Sequence, residues 1–186
     1  GQSLPQDFQV AVAFPPNITA SRNHASRAPA SLANVPVQWQ VVAGGGTLSR
    51  VRMGLGWDAA EKKGLFGKRR AQTIDLDASA LLFAGTQLVD QVWWRQLDSK
   101  DGSVHHTGDN LTGEGEGDDE SIQFDLSRVP ANVTTLVFTV NSFTGQKFTE
   151  VAKAYCRLID AATGEELVRF DLTGAEPQTG VMMAKL

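Results

Sequence analysis

The residues with the clearest chemical potential form an acidic, glycine-rich run at positions 108–120. Its carboxylate residues are Asp109, Glu114, Glu116, Asp118, Asp119 and Glu120, and glycine recurs at positions 108, 113, 115 and 117. Glycine lets a backbone fold tightly and turn its carbonyl groups inward. Calcium takes roughly six to eight oxygens from carboxylates, amides and carbonyls, and this run supplies all three kinds. The run therefore predicts a calcium-binding loop.

A second acidic element lies upstream, where Asp75 and Asp77 flank Leu76 in an alternating segment. Strand geometry puts both carboxylates on one face, with Cα atoms roughly 6.5–7 Å apart, while Leu76 points into the core. Like charges so placed repel each other unless a cation lies between them. We therefore predict that both elements bind one or two calcium ions. The predicted ligands are Asp75, Asp77, Asp109, Asn110, Glu114, Asp118, Asp119 and Glu120, with carbonyl oxygens from loop glycines such as Gly115.

Other readings of these residues stay open. The loop is not an EF-hand, because Leu111 occupies the third position counted from Asp109. Zinc favours Cys or His ligands, and only His105 and His106 are near. A metal-assisted phosphoester hydrolase is the main alternative function, but the loop offers no nucleophile and no Lys or Arg. We expect a protein that is not an enzyme, with no catalytic residues.

A third hypothesis is an interaction subunit whose calcium is only structural. Its function would then lie in Trp93 or Trp94, or in the basic insertion from Lys62 to Arg70. The acidic run itself argues against a nucleic-acid partner, which requires the opposite local field. Outside the run, the remaining 15 acidic residues are slightly outnumbered by 17 Lys and Arg. No stretch of the sequence is long and apolar enough to span a bilayer.

The elements that position these residues follow a period of two. Alternating apolar residues predict strands around 51–57, 74–82, 122–126, 136–140, 154–159 and 167–172, with weaker candidates at 8–14 and 37–42. Several short strands with one apolar face predict an all-β fold, an antiparallel β-sandwich with long acidic loops and at most one or two short helices. Only Gln146–Lys153 looks helical. We assign residues 1–40 to an N-terminal strand and a Pro/Ala/Ser-rich linker, and residues 41–186 to the sandwich domain.

Four motifs occur in a fixed order along the chain: Gly54-Leu55-Gly56-Trp57-Asp58, Asp75-Leu76-Asp77-Ala78-Ser79, Asp101-Gly102-Ser103-Val104, and the long run from His106 to Glu120. Together they resemble the TerD family of tellurium-resistance and stress proteins. The resemblance covers roughly residues 47–186. It implies a calcium-bound β-sandwich in the bacterial cytoplasm, linked to tellurite resistance and general stress. It also implies protein partners in a stress-response assembly, and one alternative is that this assembly is associated with a membrane.

Two departures from the family pattern stand out. The usual amino-terminal strand is not clear, which fits either an excised domain or a divergent, TerA-like member. Lys153 stands where an Asn is usual, so no family role is assigned to that position.

Overall fold

Fourteen β-strands account for nearly all regular structure in the part of the chain that the structure describes. The computed structural model describes residues 10–14, 20–21, 38–42, 48–58, 60–63, 69–72, 74–172 and 179–185. The strands are β1 (Val10–Phe14), β2 (Ala20–Ser21), β3 (Gln38–Val42), β4 (Arg50–Asp58), β5 (Ala60–Lys63), β6 (Arg69–Gln72), β7 (Leu76–Ala84), β8 (Gln87–Val92), β9 (Val104–His106), β10 (Glu120–Asp125), β11 (Thr135–Ser142), β12 (Ala152–Asp160), β13 (Glu166–Asp171) and β14 (Gly180–Lys185). The all-β prediction is confirmed.

The strands form two six-stranded antiparallel sheets and one small hairpin. The first sheet has the order β3-β1-β14-β11-β7-β8, and the second has the order β2-β13-β12-β4-β10-β9. Among the described residues, β5 and β6 pair with each other and with no other strand, and they carry the described part of the basic insertion. The predicted antiparallel sandwich is therefore the observed architecture.

The core lies between the two sheets because each main strand turns one apolar face inward. Leu76, Ala78 and Leu82 of β7 are each at most 1% exposed, as the alternation predicts. From the two facing sheets, Phe124 and Phe138 meet with ring centroids 4.4 Å apart in an edge-to-face arrangement. Such aromatic contacts add directional packing to the apolar burial.

The predicted helix at Gln146–Lys153 is wrong in extent. Only Phe148–Glu150 form a helical turn, of the 3-10 type, and β12 begins at Ala152. Phe148 and Val151 are both buried, and their spacing of three suits a single turn as well as a helix. A bulge then follows, since the β12–β4 register shifts between Ala152 and Tyr155. Lys153 lies in this bulge with a positive φ of 49°.

The N-terminal region contributes strands to both sheets. Strand β1 pairs with β3 and with β14, and β2 pairs with β13. The rest of the predicted linker, residues 15–19 and 22–36, lies outside the described residues. The proposed boundary at residue 40 stays a prediction.

Two further features bear on function. Cys156 is 2% exposed, and burial raises the pKa of its thiol, so the side chain is a packed and unreactive group.

No helix within the described ranges combines the length and apolarity needed to cross a bilayer.

Candidate metal centre

The candidate metal centre begins at the start of β7, on the side that β8 leaves unpaired. Strand β8 pairs with β7 only from Ala80 onward, so the first residues of β7 need other partners on that side. The Ala78 amide donates a hydrogen bond to Glu120 Oε2 at 2.8 Å, and His106 Nε2 lies 3.2 Å from the Ala78 carbonyl oxygen. Both side chains come from the second sheet and are completely buried. This Glu120–His106 clamp joins the sheets where the acidic loop arrives.

Three carboxylates converge beside the clamp. Oxygen atoms of Asp75, Asp77 and Asp109 lie within 4.8 Å of one another, and we call these residues the carboxylate trio. Asp75 and Asp77 are 7% and 8% exposed, whereas Asp109 is exposed. Asp75 Oδ1 is buried and has no hydrogen-bond partner. A buried anionic oxygen without a donor is costly unless a cation neutralises it.

The electrostatics of the trio follow from this crowding. Burial, followed by the charges of Asp75, Glu120 and Asp109, raises the pKa of Asp77 to about 7. Burial also raises the pKa of Asp75, with Asp109 and Glu120 adding to the effect. Since a bound cation would reverse the repulsion, the trio has the electrostatics of a cation site.

The start of the acidic loop is shaped by Asn110 and Gly113. Asn110 Oδ1 accepts hydrogen bonds from the amides of Thr112 and Gly113, both at 3.1 Å. Gly113 has a φ of 64°, and a Cβ there would lie 2.4 Å from Trp57 Nε1. The Trp57 indole in turn donates to the Ile74 carbonyl at 2.8 Å. Only glycine fits at 113, and its close contact with Trp57 fixes the loop beside the start of β7.

Asp119 is held by the fold rather than pointing to open space. Its Oδ2 accepts the Trp57 amide at 2.9 Å, and its Oδ1 accepts the Asn110 side-chain amide at 3.2 Å. Burial raises its pKa, with the charges of Asp58, Asp118 and Glu120 contributing, although the Trp57 amide acts in the opposite direction. Nearby Asp58 has its own cation, because Lys153 Nζ lies 2.6 Å from its carboxylate.

Asp118 is bound on the outer face of the second sheet. Its Oδ1 accepts hydrogen bonds from Arg157 Nε at 2.7 Å and from the Tyr155 hydroxyl at 3.1 Å. Its Oδ2 lies 3.6 Å from Arg52 Nη1 and has no hydrogen bond. A Cβ at Gly54 would lie 2.2 Å from the same oxygen. We call this arrangement the Asp118 anchor, because it fixes the end of the acidic loop onto β4 and β12.

The predicted ligands therefore fall into separate groups. The structure brings Asp75, Asp77 and Asp109 together, and it places the negative charge of Glu120 close enough to raise the pKa of Asp75 and Asp77. Asn110, Asp118, Asp119 and Glu120 engage protein donors, while Glu114 and Gly115 are exposed.

Sequence reasoning missed the partners of these side chains. Arg157, Tyr155, Lys153 and His106 were not assigned to the site. Alternation does place Arg52, Gly54 and Gly56 on one face of a strand, but nothing in the sequence indicates that this face receives Asp118 from a distant loop.

Comparison with known proteins finds relatives that are named as tellurium resistance or stress response proteins. The TerD domain family model matches residues 38–186. The chain is 51% identical over 142 residues to tellurium resistance protein TerZ of Serratia marcescens, covering 75% of this chain and 73% of that protein. It is 38% identical over 136 residues to stress response protein SCP2 of Bacillus subtilis (strain 168), covering 67% and 68%.

A solved structure shares the fold. The crystal structure of a homologue of telluride resistance protein (TerD) from Streptomyces coelicolor A3(2) matches with a TM-score of 0.61 and 22% identity. The match covers 74% of this chain and 80% of that chain.

Proposed function

The chain belongs to the TerD domain family, and from that premise we propose that it is a calcium-binding module of a bacterial tellurite-resistance and stress-response system, acting in the cytoplasm through protein interactions. The assignment to such a system is supported by relatives that are named as tellurium resistance and stress response proteins. The calcium assignment depends on one observation in particular. Asp75, a member of the carboxylate trio, has a buried Oδ1 that accepts no hydrogen bond.

The donor chemistry of the trio favours a hard cation. All three side chains offer carboxylate oxygens, which suit calcium and magnesium rather than zinc. Asp109 comes from a glycine-rich loop, and flexible oxygen-rich sites suit calcium better than the rigid octahedral geometry of magnesium. The ion would supply positive charge to Asp75, Asp77 and Asp109, and Glu120 behind them would strengthen the local negative field.

We propose one ion per chain rather than two. Asp58 and Asp118, whose charges act on Asp119, already have protein partners, because Asp58 is paired to Lys153 and Asp118 is paired to Arg157. Asp119 accepts hydrogen bonds from Trp57 and Asn110. These side chains have less need of a second cation than Asp75 has of the first.

A hydrolase is not proposed. The relatives are named as resistance and stress proteins, and no observation at the trio favours phosphoester chemistry. The guanidinium groups of Arg52 and Arg157, which lie beside the end of the loop, both face Asp118.

Calorimetric titration of calcium into the metal-stripped chain tests the proposal. We expect saturable binding near one ion per chain, with magnesium binding more weakly. Asp77→Asn should weaken calcium binding at least about tenfold, because a trio carboxylate that binds the ion directly is lost. The control is Glu116→Gln, which removes an exposed charge from the same loop and should have little effect. Absence of saturable binding, or equal weakening by both variants, would contradict the proposed site.

A further inference from the structure

A groove on the outer face of the first sheet lies beside the carboxylate trio. Its volume is about 410 Å³, within the roughly 300–1,000 Å³ of small-molecule sites. The described residues that line it are Ser79, Leu81, Gln91, Trp93, Thr139 and Asn141. Asn141 is directly opposite Asp77 in the β7–β11 register, and Ser79 is two residues further along β7 on the same face. The groove and the trio are therefore neighbours on one surface.

The lining carries hydrogen-bonding groups without charge. Ser79 and Thr139 offer hydroxyls, and Gln91 and Asn141 offer amides. Within the described residues, none of these four side chains has a hydrogen-bond partner. Hydroxyls and amides both donate and accept, so they suit a ligand that also does both. Leu81 and Trp93 add an apolar surface between them.

An aromatic wall borders the same groove. The rings of Trp93 and Trp94 meet edge to face with centroids 5.4 Å apart, and Trp94 meets Phe143 in the same way at 5.9 Å. The Arg95 guanidinium stacks 4.3 Å from the centre of the Trp94 ring. The Phe143 amide donates to the Asp75 carbonyl at 3.0 Å. This hydrogen bond connects the wall directly to a residue of the trio.

We propose that this groove binds a neutral, hydroxyl-rich ring compound, of the chemistry of a monosaccharide or a cyclitol. The neutral amides and hydroxyls match ring hydroxyls, and Trp93 matches the apolar C–H face of such a ring. An anionic ligand is disfavoured, because the trio and Glu120 together carry more negative charge than one divalent ion offsets. The expectation that ligand binding in the groove depends on calcium rests on the proposed function. Binding through one oxygen each, the three carboxylates supply fewer than the roughly six to eight oxygens that calcium takes, and ligand hydroxyls at the Asp77 end of the groove can supply more.

The test is an NMR titration of the full chain with calcium bound. The neutral probes are methyl α-mannoside and myo-inositol, and the anionic probe is inorganic phosphate. We expect the neutral probes to shift the Trp93 indole resonance saturably, with a dissociation constant on the order of 1 mM, and to bind more weakly after calcium is removed. The Trp57 indole, which contacts Gly113 of the acidic loop, reports calcium binding separately in the same spectra.

A pair of threonines on β11 supplies matched variants. Thr139→Val removes a hydroxyl from the groove and should weaken binding of the neutral probes at least about fivefold. Thr135→Val makes the same change on the same strand face outside the groove and should leave binding unchanged.

Two results would overturn the inference: no shift of Trp93 with either neutral probe while Trp57 reports bound calcium, or tighter binding of phosphate than of the neutral probes. If Trp57 and calorimetry show no calcium binding, the proposed function fails instead. A neutral-probe shift that Thr139→Val weakens would then still support the groove.

Discussion

Asp75 and Asp118 carry the same functional group in opposite surroundings. Asp118 is enclosed by Arg157, Tyr155 and Arg52, so its charge is neutralised within the fold. Asp75 has acidic neighbours and a buried oxygen with no donor. The same residue type therefore acts as a structural anchor in one place and as a candidate cation ligand in the other, and its partners decide which.

The Asp118 anchor predicts a stability effect without a loss of the ion. Asp118→Asn should lower the free energy of unfolding of the metal-free chain by about 1–3 kcal/mol, since it removes the closer and more buried of the two carboxylates, Asp118 and Glu166, that pair with the partly buried Arg157. Calcium stoichiometry should stay the same. Urea unfolding and calorimetry measure the two quantities. Asp98→Asn, at an exposed carboxylate paired with His105, should change stability by less than about 0.5 kcal/mol. Loss of calcium binding without loss of stability would instead make Asp118 a ligand.

At the scale of the elements, the Glu120–His106 clamp takes the place of a strand partner for β7. Glu120→Gln should lower the free energy of unfolding by about 1–3 kcal/mol, because Glu120 accepts the amides of both Ala78 and Asn110 and a glutamine offers only one acceptor oxygen. Hydrogen exchange should speed up at the Ala78 amide. The Thr139 amide on β11, which pairs with Ser79 on the other side of β7, should remain protected. Unchanged protection of Ala78 would show that the clamp contributes little.

Element by element, the sequence predicts most strands and little of how they are joined. Alternation predicts β4, β7 and β12, because one face of each must be buried. The turn from Phe148 to Glu150 was extended wrongly into a helix, since the apolar spacing of Phe148 and Val151 fits both structures. The bulge at Lys153 and the anchoring of Asp118 on Arg157 depend on pairing between distant segments. A local pattern contains no information about such pairing.

For the whole molecule, the trio makes stability depend on pH and calcium together. The folded pKa of Asp77, about 7, lies above its ordinary value of 3.8, so the folded chain holds more protons than the unfolded chain between these values. Stability of the metal-free chain should therefore fall as pH rises from about 4 to about 7, by up to about 4 kcal/mol. Bound calcium should remove most of this fall, because it stabilises the ionised trio.

Thermal unfolding at pH 5 and pH 8, with a chelator and with calcium, measures this dependence. Asp77→Asn serves as the control and should flatten the pH response of the metal-free chain. If the metal-free chain instead becomes more stable as the pH rises from 5 to 8, then the trio does not hold an extra proton in the folded state.

The order of the first sheet also bears on how the chain is made. Strand β14 lies between β1 and β11, so the sheet stays in two pieces, β3-β1 and β11-β7-β8, until residues 180–185 are available. A ribosome delivers those residues after every other strand of the sheet. Pairings between residues so far apart in sequence form slowly. The nascent chain therefore exposes unpaired edges of β1 and β11 until residues 180–185 emerge, and such edges can pair with another chain.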